Sequence, residues 1–210
     1  MLRQSQVVAE VAPDHPIAVL SGPSFATDLT RGLPTAVTLA SESMDEGLQQ
    51  RLSTQSLRPY LSEDVVGVEL GGTLKNVVAI ACGAAIGAGL GESARAALMA
   101  RGFAELVRIG LAMEAKAETL SGLSGLGDLT LTATSSQSRN FRFGLALGET
   151  GTALSNGTFE GASTAGAAHA LAKRMHINAP IIQTVAALAD NKLTVQEAIN
   201  RLMNRPLRRE

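Results

Sequence analysis

Lys75 stands in Gly71-Gly72-Thr73-Leu74-Lys75-Asn76-Val77-Val78-Ala79-Ile80 and is the only cation between Pro59 and Arg95. A lysine among small and apolar neighbours does little for solubility. Desolvation disfavours its ammonium form and draws its pKa toward neutrality, which makes it a usable proton donor or acceptor. The competing reading is a side chain that snorkels from the helix edge to water. The paired glycines one turn earlier weigh for the first reading, because they let a neighbouring segment or a ligand come close to the helix.

Three further clusters can carry chemistry. Ser121-Gly122-Leu123-Ser124-Gly125-Leu126-Gly127-Asp128-Leu129 is a glycine-rich loop ending in one carboxylate. Asp128 either caps the helix that follows or orients Lys75 and accepts a hydrogen bond from a substrate hydroxyl. Soon after it, Gln137-Ser138-Arg139-Asn140 is either a solvated polar turn or a run of donors whose guanidinium suits bidentate binding of a phosphate. Ser21-Gly22-Pro23-Ser24-Phe25-Ala26 leaves a strand and opens a helix, so its backbone N–H groups can face an anion or a substrate oxygen.

The last cluster also nearly matches Gly-x-Ser-x-Gly, with Ser24, Asp128 and His169 following in α/β-hydrolase order. Against that rival stand Ala26 in place of the final glycine and the single strand that precedes Ser24. His15, His169 and His176 lack ligand spacing with acidic or cysteine partners, so no metal site is expected. Cys82, seven residues after Lys75 among Ala and Gly, reads as a small buried thiol. Gly87-Ala88-Gly89-Leu90-Gly91 fails Gly-x-Gly-x-x-Gly and follows a helix, and no Walker A sequence is present.

The elements that must position these residues come in two styles. Over the first sixty or so residues, β-branched runs Ile17 to Leu20, Thr35 to Ala40 and Leu57 to Leu61 are set off by turn chemistry and read as strands. Phe25 to Arg31 and Met44 to Ser53 have helical spacing between them, so strand and helix alternate as in an α/β sheet. From Ser62 onward the period is that of helices. Leu98, Gly102, Leu106, Ile109 and Met113 mark one face of an amphipathic helix, with Arg101, Glu105 and Arg108 on the other. Pro180 suits the first turn of a helix ending near Asp190-Asn191, and Thr194 with Glu197 has capping-box spacing.

The 210 residues are enough for a sizeable core, and a 45% hydrophobic fraction excludes a disordered chain. Lys+Arg 18 against Asp+Glu 19 leaves no cationic field for a nucleic-acid backbone, so no nucleic-acid partner is expected. Aromatic residues are 3% with no Trp, so the core must be built from small side chains at close helix spacing. One Cys forms no internal bridge, and a reducing cytoplasm is the default. Val65 to Leu90 is apolar enough to suggest a membrane span, but Glu69, Lys75 and Asn76 within it argue for a buried helix of a soluble protein.

Taken in order, Ser21-Gly22-Pro23-Ser24-Phe25-Ala26, Gly71-Gly72-Thr73-Leu74-Lys75-Asn76, Gly125-Leu126-Gly127-Asp128-Leu129 and Gln137-Ser138-Arg139-Asn140 closely resemble the NAD(P)-dependent glycerol-3-phosphate dehydrogenases of bacterial type. The resemblance runs from about Ile17 to the last helix. It implies α/β followed by all-α: the C-terminal part of a Rossmann-type sheet over 1–61, a helical substrate domain over 62–205 and a tail, 206–210. It also implies that the cofactor-binding start of the Rossmann domain, on the order of 100 residues, is absent from this sequence.

The implied reaction is hydride transfer between NAD or NADP and C2 of dihydroxyacetone phosphate, giving sn-glycerol 3-phosphate for phospholipid synthesis. By match to the family's motifs, Lys75 is the general acid/base, with Asn76 and Asp128 completing the catalytic group. Gly22, Ser24, Lys75, Asp128, Thr132, Ser138, Arg139 and Asn140 match substrate-contacting positions, although bacterial relatives often carry Thr where Ser24 stands. Ala26, Arg139, Thr158 and Glu160 match cofactor-contacting positions. A cytoplasmic homodimer is the expected setting. The rival from another class is a catalytically dead fragment that keeps binding to phosphorylated glycerol compounds or to a partner through its unpaired sheet edge. A hydroxy-acid dehydrogenase is a lesser alternative, because that wider group does not combine the lysine with the Gln137-Ser138-Arg139-Asn140 pattern.

Overall fold

A computed structural model describes residues 3–151 and 160–204. The chain divides into two compact units, one formed by residues up to Lys75 with Leu106–Thr132, the other by Asn76–Glu105 with the residues from Ala133 onward.

The first unit opens with helix α1 (Gln4–Val11), which the sequence reading did not anticipate because none of its residues is buried. Its start is fastened instead by polar contacts: the Ser5 N–H and Oγ each donate to the buried Glu69 carboxylate at 2.7 Å, and the Arg3 guanidinium donates at 3.1 Å. Strand β1 (Val19–Ser21), helix α2 (Ala26–Thr30), strand β2 (Thr35–Ala40), helix α3 (Glu46–Leu52) and strand β3 (Leu57–Ser62) follow, in the alternation expected. The sheet order is β1-β2-β3, with β2 parallel to β3 and β1 antiparallel to β2. In β2 the run Val37 to Ala40 is buried on both faces, as a central strand requires. Pro59, which has no N–H to give to a ladder, lies in β3 at the margin of the sheet.

Helix α4 (Val65–Gly87) begins in this unit and continues into the second. Asp64 caps it, with Oδ1 accepting from the Gly67 N–H at 2.7 Å. Among the described residues α4 alone is long and apolar enough to cross a membrane, and most of its apolar stretch is buried inside the protein. Helix α5 (Gly91–Ala112) ends in the first unit, where α6 (Ala117–Ser121), a π-helical turn (Leu123–Gly127) and the start of α7 (Asp128–Thr134) complete it.

The second unit holds the rest of α4 and α5 with α8 (Arg139–Thr150), α9 (Glu160–Arg174), α10 (Pro180–Ala189) and α11 (Val195–Met203). Its core gathers Val77, Val78, Ile80, Phe141, Leu147, Ile182 and Val185. The small-residue core expected from composition is realised where α4 meets α8. A Cβ at Gly83 would come within 2.8 Å of the Leu145 nitrogen, and one at Gly144 within 2.8 Å of the Ile80 carbonyl carbon. Pro180 occupies the first turn of α10, and Thr194 and Glu197 form the capping box of α11.

One expectation fails. Glu105, placed on the polar face of α5 by periodicity, is 1% exposed and accepts from the Ile181 and Ile182 N–H groups at 2.8 and 3.0 Å. The residue before Pro180 is Ala179, which has no side-chain acceptor, so a carboxylate from another helix supplies the cap to α10.

Candidate active site

Lys75 and Asp128 form an ion pair in the first unit, with Lys75 Nζ donating to Asp128 Oδ2. The lysine side chain is 18% exposed and the aspartate 3%. This arrangement answers the choice left open by the sequence: Lys75 does not merely snorkel to water, and Asp128 both begins α7 and holds the lysine. Thr132, one turn along α7, donates its hydroxyl to Asp128 Oδ1 at 3.2 Å. The Gly22 backbone N–H gives the carboxylate a further hydrogen bond.

The glycines explain how these segments come so close. A Cβ at Gly72 would sit 2.5 Å from Ser21 Oγ, and one at Gly71 within 3.0 Å of the Gly125 Cα. The end of β1 and the π-helical turn therefore lie directly on α4. At Gly22 a Cβ would come within 2.8 Å of the Val37 Cα, so the turn that delivers its N–H to Asp128 tolerates no side chain.

Burial pushes the Asp128 carboxyl above its ordinary value of 3.8. The Lys75 charge, the hydrogen bonds from Lys75 and Thr132 and the Gly22 N–H all pull the other way without cancelling it. The group is thus an acid held close to its cation in a place that water only partly reaches. Such a pair can pass a proton to and from a ligand oxygen.

Other residues singled out in the sequence lie in the second unit. Asn76 is buried next to Lys75 in the chain. Ser138 caps α8, its Oγ accepting from the Phe141 N–H at 3.2 Å. Asn140 is buried, and its Oδ1 accepts from the Gly161 N–H at 3.0 Å near the start of α9. Among the described residues both keep donors, the Ser138 hydroxyl hydrogen and the Asn140 amide NH₂. Arg139, exposed at the first position of α8, makes no hydrogen bond or ion pair among the described residues. Of the expected cofactor contacts, Ala26 is exposed at the start of α2, Glu160 opens α9, and Thr158 lies outside the described residues, as does the Glu160 side chain.

The hydrolase alternative is not supported. Ser24 Oγ is buried without a hydrogen-bond partner among the described residues, so no base activates it, and Asp128 is committed to Lys75. No group of three His, Cys, Asp or Glu among the described residues could hold a metal ion. The sequence reading missed the Gly22 N–H as a ligand of Asp128 itself. A glycine in a turn after a strand was the available signal.

Residues 64–200 match the family described as NAD-dependent glycerol-3-phosphate dehydrogenase C-terminus, and residues 1–47 match its N-terminus counterpart. A glycerol-3-phosphate dehydrogenase [NAD(P)+] of Brucella ovis is 57% identical over 98% of this chain and 64% of its own length. One from Paracoccus denitrificans is 55% identical, with 66% of its length covered. The crystal structure of glycerol-3-phosphate dehydrogenase from Coxiella burnetii superposes with a TM-score of 0.89 at 43% identity, over 95% of this chain and 64% of that one. The chain thus spans about 64% of the length of the Brucella relative.

Proposed function

Because the chain belongs to the NAD-dependent glycerol-3-phosphate dehydrogenase family, we propose that its residues serve the interconversion of dihydroxyacetone phosphate and sn-glycerol 3-phosphate. The observation that carries this reading is the largely buried Lys75–Asp128 pair, on a helix whose one other charged residue is Glu69. As the carbonyl carbon of the triose is reduced, negative charge develops on its oxygen. The Lys75 ammonium donates a proton to that oxygen, and in the reverse direction the neutral amine takes it back. Asp128 holds the lysine and, with Thr132 and the Gly22 N–H, keeps the carboxylate from turning away. Ser138, Arg139 and Asn140 are assigned to the substrate phosphate, and the exposed guanidinium of Arg139, which has no partner among the described residues, supports that assignment.

The cofactor is NAD or NADP. When bound, the nicotinamide supplies or takes the hydride. The buried Ser24 Oγ and the exposed Arg139 guanidinium, both without a partner among the described residues, fit a polar ligand of this kind, while the sequence holds no Gly-x-Gly-x-x-Gly turn for its pyrophosphate. Ala26, Arg139, Thr158 and Glu160 are the residues assigned to it. The division into a Rossmann part over 1–61 and a helical part over 62–205, a homodimer and a cytoplasmic setting belong to the same proposal.

The test is NADH binding by the chain, followed by fluorescence, and turnover of dihydroxyacetone phosphate by the chain alone and by a chimera supplied with the part of the Brucella ovis relative it does not span. Submillimolar NADH affinity, with turnover abolished in Lys75→Ala, supports the reading. Near-normal kcat in Lys75→Ala refutes it. Binding of glycerol 3-phosphate with neither NADH binding nor turnover, in chain and chimera alike, leaves the catalytically dead alternative.

A further inference from the structure

We propose that Asp64 is a positioning residue for the Lys75–Asp128 pair, its carboxylate fixing the register between the first half of α4 and the segment from Lys116 to Asp128. The inference rests on the role given above to that pair.

The two stretches run side by side in the same direction and touch at successive rungs. At the first, Asp64, 7% exposed, uses Oδ1 for the Gly67 N–H of its own helix and Oδ2 for the Lys116 N–H at 2.7 Å. At the second, the Gly67 Cα faces Thr119, where a Cβ would lie 3.0 Å from Thr119 Cγ2. At the third, Gly71 packs on Ser124 and Gly125. At the fourth, Lys75 meets Asp128. Partners are 52 residues apart at the Asp64 rung and 53 apart at the Lys75 rung.

That change of one arises between Thr119 and Ser124, where α6 gives way through Gly122, in extended backbone, to the π-helical turn Leu123–Gly127. The extra residue is what carries Asp128 forward to Lys75, and it does so only if the segment's starting point is fixed. Lys116 is the residue before the first turn of α6, so its N–H has no acceptor within that helix. Asp64 supplies the acceptor. From Asp64 to Lys75 is close to three α-helical turns, so one side of α4 presents both carboxylate and ammonium to the same segment.

Two variants separate this role from ordinary helix capping. Asp64→Ser keeps a capping oxygen for the Gly67 N–H but is too short to reach Lys116. Lys116→Pro deletes the N–H from the other side, at a residue whose φ of −82° suits proline. Each is made in the 210-residue chain, where the Asp128 carboxyl is titrated by ¹³C NMR, and in the chimera, where kcat, KM and their pH profiles are measured. We expect the Asp128 titration to shift away from that of the parent, and kcat to fall by roughly tenfold or more with KM changed less than about twofold. The kcat pH profile should shift with it.

If both variants lower the melting temperature while the Asp128 titration and the pH profile stay those of the parent, Asp64 is a cap and the proposal is overturned. If one variant does not fold, the other decides. If the parent chimera shows no turnover, the acid/base reading of the pair fails, whereas the NMR titration still decides the part played by Asp64.

Discussion

Two buried carboxylates in this chain carry opposite lessons. Glu105 accepts from the backbone N–H groups of Ile181 and Ile182, which are fixed in a helix and have no proton to spare. Asp128 meets a flexible ammonium, a hydroxyl and one backbone N–H, and burial holds its carboxyl above the ordinary range. Burial of an acid is therefore no mark of function by itself. What distinguishes Asp128 is a partner that can exchange a proton and a side chain, that of Lys75, which is still partly open to water.

The sharpest way to break this contrast is to remove each acid's partner or the acid itself. Lys75→Ala should lower kcat with dihydroxyacetone phosphate by roughly 10²- to 10⁴-fold, whereas Glu105→Gln should leave kcat near that of the parent. Steady-state kinetics on the chimera checks both, and a comparable kcat loss in Glu105→Gln would erase the distinction. Glu105→Ala should instead cost about 3 kcal/mol of stability, since it strands two buried N–H groups, and urea unfolding measures it.

The titration of Asp128 sharpens the comparison further. Because its carboxyl lies above 3.8 in the folded chain, the native state binds more protons than the unfolded one between 3.8 and that raised value. Its contribution to stability should therefore decline as pH rises through that window and recover as pH falls. Asp128→Asn should remove this slope, as read from unfolding free energies between pH 3.5 and pH 7. Thr132→Val, which deletes one hydrogen bond to Asp128, should cost about 1 kcal/mol and lower kcat by about fivefold. The smallest effect concerns Cys82. Burial pushes its thiol up to about 12 against the pull of Arg95, so labelling by a disulfide reagent at pH 8 should be slow in the native chain and complete after unfolding.

Strand β2 was readable to its ends, because Thr35 to Ala40 combines β-branched residues with the turn Gly32-Leu33-Pro34. The cap of α11 and the start of α10 were readable because their signals are local: Thr194 accepts from the Glu197 N–H three residues on, and the fixed φ of Pro180 suits a first helical turn. Helix α1 gave no periodic apolar signal because it buries nothing and is anchored by Glu69, far away in sequence. Glu105 misled for a related reason. Periodicity sees a charged residue between apolar ones and has no means of seeing the uncapped end of α10 that attracts it. The glycine-rich run Ser121 to Leu129 reads as a loop, yet Leu123 to Gly127 within it winds as a π-helical turn packed on α4.

The residue types available for the proposed chemistry, Lys75, Asp128 and Thr132, and the glycines that let backbones touch, follow from the amino-acid order alone. Their meeting does not. Lys75 and Asp128 are 53 residues apart, and no local rule links a helix to a glycine-rich segment at that distance. Only the packed chain decides it, because an ammonium and a carboxylate recognise each other through space, and it is the stacking of Gly71 on Gly125 and of Gly72 on Ser21 that brings them into reach.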